Sequence, residues 1–471
     1  MVSGIFNGTR SMPDTNRAKE QINFCIKEEN WEKLSRFFED LHPADIAEII
    51  NHAPANAHNI LFELLDNDIK PDVLAELDDQ AEADILEELS DEEISDIVEE
   101  MAPDDAADVL GEIEERSEGI LGLMEDEESE EVRELLQYDE ETAGGIMTSD
   151  FVAVRAAMTA AEALEYIGSL DLEEPVYYVY VVDSDAHLTG SVQLWELLKK
   201  ANRSKMLEVL ADKETIFVHT DTDQEKVAQI ASKYDLSSLP VLDWQDKLVG
   251  RVTVDDIMDV MEEEASEDIF KLAGSSDSEL EDTSPLQACK ARMPWLLITL
   301  GTGFVSSLIL KSFMNHLSLA EIVALSFFVP IIMAMGGNTG IQSSTLIIRG
   351  IALGASHSRR IMKIITHEII AGATMGLICG TTIGLWAGFV ITRDGTSALA
   401  PSYLALTVGI ALFSAMAFAA VFGALVPVLL DRMKIDPAVA SGPFVSASND
   451  IFALLIYYGT TLLMIGATQL A

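Results

Sequence analysis

Asp450 is the residue around which chemistry can be built. It stands in Ser446-Ala-Ser-Asn449-Asp450-Ile, within an apolar stretch (438–467) long enough to cross a bilayer. A carboxylate at the centre of such a stretch costs about 2.5–3.5 kcal/mol on insertion scales. No lysine or arginine lies deep in any apolar stretch to pair with it. An Asp hydrogen-bonded to neighbouring hydroxyls is one reading; a carboxylate on an ion pathway is the reading these residues favour. Upstream, Ser441-Gly442-Pro443 is expected to break the helix, because Pro443 cannot donate to the carbonyl of Val439. Backbone freed at membrane depth must line water or protein. A second segment, Gly336-Gly-Asn338-Thr-Gly340-Ile-Gln342-Ser-Ser344, is also expected to be broken, with close packing through small residues as the competing reading. An Asp carboxylate, Asn338 and backbone carbonyls form an all-oxygen ligand set, which suits Mg2+, Ca2+ or Mn2+ and offers no thiolate or imidazole for softer ions. The residues alone leave the choice among these three ions open. Mg2+ sheds water reluctantly, so one carboxylate per subunit could hold it hydrated at a dimer axis.

The second concentration of chemistry is a run of acids. Asp255, Asp256, Asp259, Glu262, Glu263, Glu264, Glu267 and Asp268 crowd one short helix, where like charges four apart repel. Docked on other acidic surfaces, such a helix needs cations between. A divalent cation then favours the docked state by mass action. A solvated acidic helix is the alternative.

The elements that must carry these residues follow from pattern. Five apolar stretches (295–313, 319–351, 361–391, 404–430 and 438–467) can each span a bilayer. Lys290 and Arg292 precede the first, Arg349, Arg359, Arg360 and Lys363 lie between the second and third, and Arg432 and Lys434 between the fourth and fifth. The positive-inside rule then places everything ahead of the first stretch in the cytoplasm and the C-terminus outside. Residues 1–289 hold 20 basic and 73 acidic side chains, net −53, whereas 290–471 hold 10 and 6, net +4. The acidity therefore belongs to the soluble part, which attracts divalent cations and repels nucleic acid and anionic lipid. Cys25, Cys289 and Cys379 are too scattered for a disulfide framework or a metal pair. The first 15 residues lack an apolar core, so no cleaved signal peptide is expected.

From about 20 to 135 a helical motif recurs every dozen residues or so, as in Leu41-His-Pro-Ala-Asp-Ile46, Leu89-Ser-Asp-Glu-Glu-Ile94 and Met101-Ala-Pro-Asp-Asp-Ala106, with a weaker copy at 77–86. Stacked short helices make a superhelical array. From 147 to 270 the order strand, helix, strand, strand, helix occurs twice, which reads as tandem α/β modules. Residues 275–284, acidic and Ser-rich, read as a linker. No Walker lysine motif, nucleophile–base signature or HExxH occurs, so no enzyme is expected.

These residues carry a family resemblance. Phe328-Val-Pro-Ile-Ile, Gly336-Gly-Asn-Thr-Gly340, Gln342-Ser and Thr345-Leu-Ile-Ile-Arg349 together resemble the second-helix signature of the MgtE magnesium channels. Asp436-Pro-Ala-Val-Ala-Ser-Gly-Pro443 followed by Asp450 is similar to the family's fifth helix. Tyr138-Asp-Glu-Glu-Thr-Ala-Gly-Gly-Ile-Met147 and Val252-Thr-Val-Asp-Asp256-Ile-Met-Asp259 resemble its two CBS modules, and Pro103-Asp-Asp-Ala-Ala-Asp108 its N-terminal domain.

The resemblance implies a multidomain membrane protein: a tail (1–19), an acidic all-α superhelix (20–137), α/β tandem CBS modules (138–203 and 204–265), a connecting helix and linker (255–289), and a five-helix membrane domain (290–471). It implies a homodimer in the bacterial inner membrane that imports Mg2+, with Asp450, Asn338 and Gly442 at the pore and a connecting helix that closes it. The implied sensor carboxylates are Asp104, Asp108, Asp223, Glu225, Asp235, Asp256, Asp259, Glu264, Glu267 and Asp268. Gly250, Thr253 and Asp256 match the Gly-x-x-Thr-x-x-Asp turn with which CBS pairs bind adenosine nucleotides, so ATP is a candidate modulator; Gln193 and Glu196 depart from that turn in the first module. Gly442 stands where some members have Asn, which bears on fine selectivity. A carrier of Mn2+ or Co2+ on the same fold is one alternative, and a non-conducting, membrane-anchored metal or nucleotide sensor is another.

Overall fold

The computed structural model describes residues 31–39, 41–170, 176–199, 203–275, 285–317, 319–352, 359–394, 400–439 and 442–470. The N-terminal tail, Cys25 and linker residues 276–284 lie outside them. The chain divides into two compact units, Met1–Met261 and Glu262–Ala471.

In the first unit the short repeats become helices α1 (Trp31–Phe38), α2 (Pro43–Asn51), α3 (His58–Phe62), α4 (Lys70–Ala75), α5 (Asp79–Glu88), α6 (Asp91–Val98), α7 (Pro103–Glu112), α8 (Glu114–Leu121) and α9 (Asp126–Leu135). Pro43 and Pro103 open α2 and α7, where a missing N–H is no loss. Ser90 opens α6 with a reciprocal capping box to Glu93. One apolar residue per turn reaches inward, as with Ile46, Ile50, Ile85, Ile94 and Leu110, all fully buried. Each such side chain contributes about 1.5–3 kcal/mol by leaving water.

The tandem modules share one topology. β1 (Ala153–Arg155), α10 (Ala160–Ile167), β2 (Tyr178–Val182), β3 (Leu188–Gln193) and α11 (Leu194–Leu198) form the first, with α12 (Leu207–Leu210) after it. β4 (Val218–His219), α13 (Gln224–Tyr234), β5 (Ser238–Leu242), β6 (Leu248–Thr253) and α14 (Val254–Ala273) form the second. In each three-stranded sheet the first pair is parallel and the second antiparallel, with the register slipping at Val181/Val182 and again at Val241/Leu242. Tyr180 and Ser238 join the modules through a buried 2.7 Å hydrogen bond. One apolar cluster runs from the short helices through Ala143 and Met147 into the second module.

Among the described residues, the second unit holds five helices long and apolar enough to span a membrane. They are α15 (Pro285–Met314), the pair α16 (Leu319–Ser326) and α17 (Val329–Gly350), α18 (Arg359–Asp394), α19 (Pro401–Arg432) and α20 (Pro443–Leu470). The structure corrects both expected breaks. Residues 336–344 are continuous helix in α17; the interruption falls earlier, at Phe327-Phe328, just ahead of Pro330. The carbonyl of Leu325 at this interruption accepts the buried Tyr457 hydroxyl at 2.8 Å, the internal satisfaction that a membrane interior demands. Gly442-Pro443 does not interrupt the last helix either: α20 begins at Pro443. The small-residue seam is clearest between α18 and α19. Every fourth residue from Gly372 to Gly388 faces α19, and a Cβ on Gly380 would strike the carbonyl of Gly409.

Candidate functional site

Asp450 is the eighth residue of α20, ~10 Å from its start at the helical rise. That places it in the first third of the helix, nearer one end than the sequence suggested. Its Oδ1 would lie 3.9 Å from a Cβ on Gly337 of α17, and Ser446 Oγ 3.3 Å from the same point. A Cβ on Gly340 would overlap the Asn449 amide, so α17 and α20 meet with no side chain of α17 between them. Asn449 is 1% exposed, and neither its Nδ2 nor its Oδ1 has a hydrogen-bond partner among the described residues. Small residues thus give α20 a polar face, Ser446-Asn449-Asp450, at a helix seam. Asn338 is exposed on α17, one residue beyond Gly337.

Gly442 is buried, and a Cβ there would strike the carbonyl of Leu272, in the last turn of α14. Gly274, which ends that helix at φ +73°, lies against Pro443 and Trp295. Lys271, the single basic residue of α14, pairs with Glu267 on its own helix and with Asp436, 2.9 Å away, ahead of α20. Desolvation pulls the ammonium down, but hydrogen bonds to Glu267 and Asp436 outweigh it and hold Lys271 above the usual lysine range. Burial, then the charge of Asp436, raises Asp268 on the same turn. A basic residue ending an otherwise acidic helix was the signal in the sequence for this contact.

Three of the expected sensor acids converge in the first unit. Asp104 is buried in the first turn of α7, and Asp256 opens α14. The Asp256 carboxylate accepts Thr253 N–H at 3.1 Å and the Thr253 hydroxyl. Burial and the charge of Asp104 nevertheless push it up to about 7. Asp108 is pushed up to about 8, by desolvation and by Asp104, Asp105, Asp256 and Glu140. The Asp108 side chain itself stays open to solvent. Carboxylates so crowded suit a divalent cation between them. A second set was not singled out by sequence: Glu82 rises to about 7 through burial, then Glu112 and Asp79.

The remaining positions are dispersed. Asp223 caps α13, Glu225 accepts from Gln229 at 3.0 Å, and Asp235 ends the helix at φ 53°. Asp259 is exposed, and Glu264 is half-buried. At the β2–β3 turn Asp183, Asp185 and His187 also come together. There Asp183 accepts the backbone N–H groups of Asp185 and His187, and the His187 N–H bond leads the lowering of its carboxyl. That is turn chemistry. For the nucleotide positions, Gly250 lies against Met147 and Thr253 is engaged by Asp256. Gln193 and Glu196 line a separate cleft of about 280 Å3, together with Tyr178, Tyr180 and Thr215.

Comparison with known proteins adds three matches along the chain. Residues 329–460 match MgtE, described as a divalent cation transporter; 41–141 match the MgtE intracellular N domain; and 143–203 and 208–263 match CBS domains. The magnesium transporter MgtE of Thermus thermophilus is 39% identical over 72% of this chain and 73% of its own length. That of Enterococcus faecalis is 36% identical over 70% and 71%. Among solved structures, the cytosolic domain of the Mg2+ channel MgtE in complex with ATP aligns with 32% identity and a TM-score of 0.47, covering 51% of this chain and 99% of that one.

Proposed function

Since this chain belongs to the MgtE family of magnesium transporters, we propose that it imports Mg2+ along a pathway lined by α20, with Asp450 as the carboxylate that receives the hydrated ion. The observation that carries this reading is the seam at Gly337 and Gly340, which leaves Ser446, Asn449 and Asp450 without intervening side chains. Oxygen donors of this kind take Mg2+ with much of its water retained. Two chains meeting at their fifth helices would pair the two Asp450 carboxylates, and the distribution of basic loops supports a bacterial inner-membrane protein with its acidic unit in the cytoplasm.

Regulation follows from charge. Cytoplasmic Mg2+ bound among Asp104, Asp108 and Asp256 relieves the repulsion that raises their carboxyl groups. Asp223, Glu225, Asp235, Asp259, Glu264, Glu267 and Asp268 add further anionic surface. The last turn of α14, held against Gly442 and Asp436, is the element that closes the pathway. ATP in the CBS modules, through Gly250, Thr253 and Asp256, is a modulator of that closure rather than a fuel. Patch recording in liposomes at low internal Mg2+ tests the pathway: wild type conducts Mg2+ and Asp450→Ala does not. Equal conduction by both would remove Asp450 from the pathway.

A further inference from the structure

Glu368 is a carboxyl group in a membrane-length helix that the pathway above does not use. It is the eighth residue of the apolar span that begins at Ile361, yet only 6% of its surface is exposed. Its Oε2 accepts the hydroxyl of Ser343 on α17 at 3.0 Å, and Ser343 is itself 1% exposed. A carboxyl group is costly in such surroundings and persists where it is paired and useful.

The partner's position shows the use. Ser343 lies on the buried stripe of α17 that contains Gly336, Gly340 and Ile347. It stands three residues beyond Gly340, where the Asn449 amide seats, and about 9 Å along the helix from Gly337. Glu368 in turn sits on α18, which the glycines from Gly372 to Gly388 hold tightly to α19. α19 also touches α17 directly, since a Cβ on Gly423 would strike the carbonyl of Gly340. Glu368 is therefore a fixed post, and its bond to Ser343 sets the rotation and height of α17. Where α17 meets α20 it offers glycine rather than side chains to set its register, so one hydrogen bond to a carboxyl oxygen has leverage there.

We propose that Glu368 is a positioning residue for ion selectivity: through Ser343 it holds the Gly337–Gly340 face of α17 against Ser446, Asn449 and Asp450, and so sets the room beside the pore carboxylate. This rests on the reading of Asp450 as the pathway carboxylate. The test is Mg2+ and Ca2+ flux into liposomes carrying the full chain, with Asp450→Ala in the same series. Glu368→Gln keeps an oxygen for Ser343 and is expected to retain the wild-type preference for Mg2+. Glu368→Ala and Ser343→Ala are each expected to lower that preference several-fold, and the double variant to be no worse than either. Should Glu368→Ala fail to fold, the Ser343→Ala and Glu368→Gln pair decides the matter. Wild-type preference in Ser343→Ala, or a loss in Glu368→Gln equal to that in Glu368→Ala, overturns the proposal while leaving Asp450 in place if Asp450→Ala is silent. Wild-type flux in Asp450→Ala removes the pathway reading, and Glu368's role falls with it.

Discussion

The acidic unit and the membrane unit treat carboxylates in opposite ways. In the first, Asp104, Asp108 and Asp256 repel one another, and Glu82 does the same with Glu112 and Asp79. A divalent cation between them is the proposed relief of that repulsion. In the second, three acids in or beside the membrane-length helices have defined seats: Asp450 against Gly337, Glu368 on Ser343, Asp436 on Lys271. On the proposed function, the first unit responds to how much divalent cation is present, and the second to how closely one ion fits. Charge should dominate perturbations of the first and shape those of the second.

The largest effect is expected from shape alone. Gly340→Val adds no charge but would displace Asn449 from the α17–α20 seam, an overpacking worth about 1–3 kcal/mol at the site of conduction. Mg2+ flux is expected to fall to background in protein that still purifies folded. Wild-type flux would break the contrast, because it would mean that close fit at this seam is not needed.

An intermediate effect concerns pH. Asp256 near 7 and Asp108 near 8 lie above the ordinary 3.8, so the folded unit holds protons that the unfolded chain has already released. Their favourable contribution is full below about pH 4 and is lost as pH rises through 7 to 8. In chelator, the thermal midpoint of the acidic unit is expected to fall between about pH 5 and pH 8.5, and Mg2+ is expected to restore it at the higher value. A midpoint indifferent to Mg2+ at alkaline pH would show that the crowding is not relieved by the cation.

The smallest effect is expected at the contact beside Gly442. The Lys271–Asp436 pair is partly exposed, so Lys271→Met should cost about 0.2–1 kcal/mol and shift the closed-to-open ratio by no more than about fivefold. Dose–response recordings against Mg2+ measure that shift. A far larger change would mean that Lys271 acts in closure as more than a surface pair.

Much of this architecture was legible in residue pattern. The span of α13, 224–234, and the doubled strand–helix order follow from apolar periodicity and turn residues. The helix at 336–344 did not, because glycine weakens helices where water can compete for the backbone, whereas within a membrane every backbone group must stay paired. There the glycines serve closeness, at Gly340 against Asn449. Glu368 escaped notice for another reason: it sits near the basic start of its span, and only the fold shows Ser343 waiting for it. The proximity of Asp104 to Asp256, 152 positions apart in the numbering, is likewise a product of tertiary packing.

The central claim is that crowded carboxylates in one unit govern conduction through a fitted carboxylate in the other. Its most direct test is open probability against Mg2+ on the sensor side for wild type and for Asp108→Asn/Asp256→Asn. Relief of repulsion by neutralisation removes the reason for a cation to bind there, so closure in the variant is expected only at markedly higher Mg2+, with conduction through the open pathway unchanged. Closure at the wild-type concentration would contradict the account.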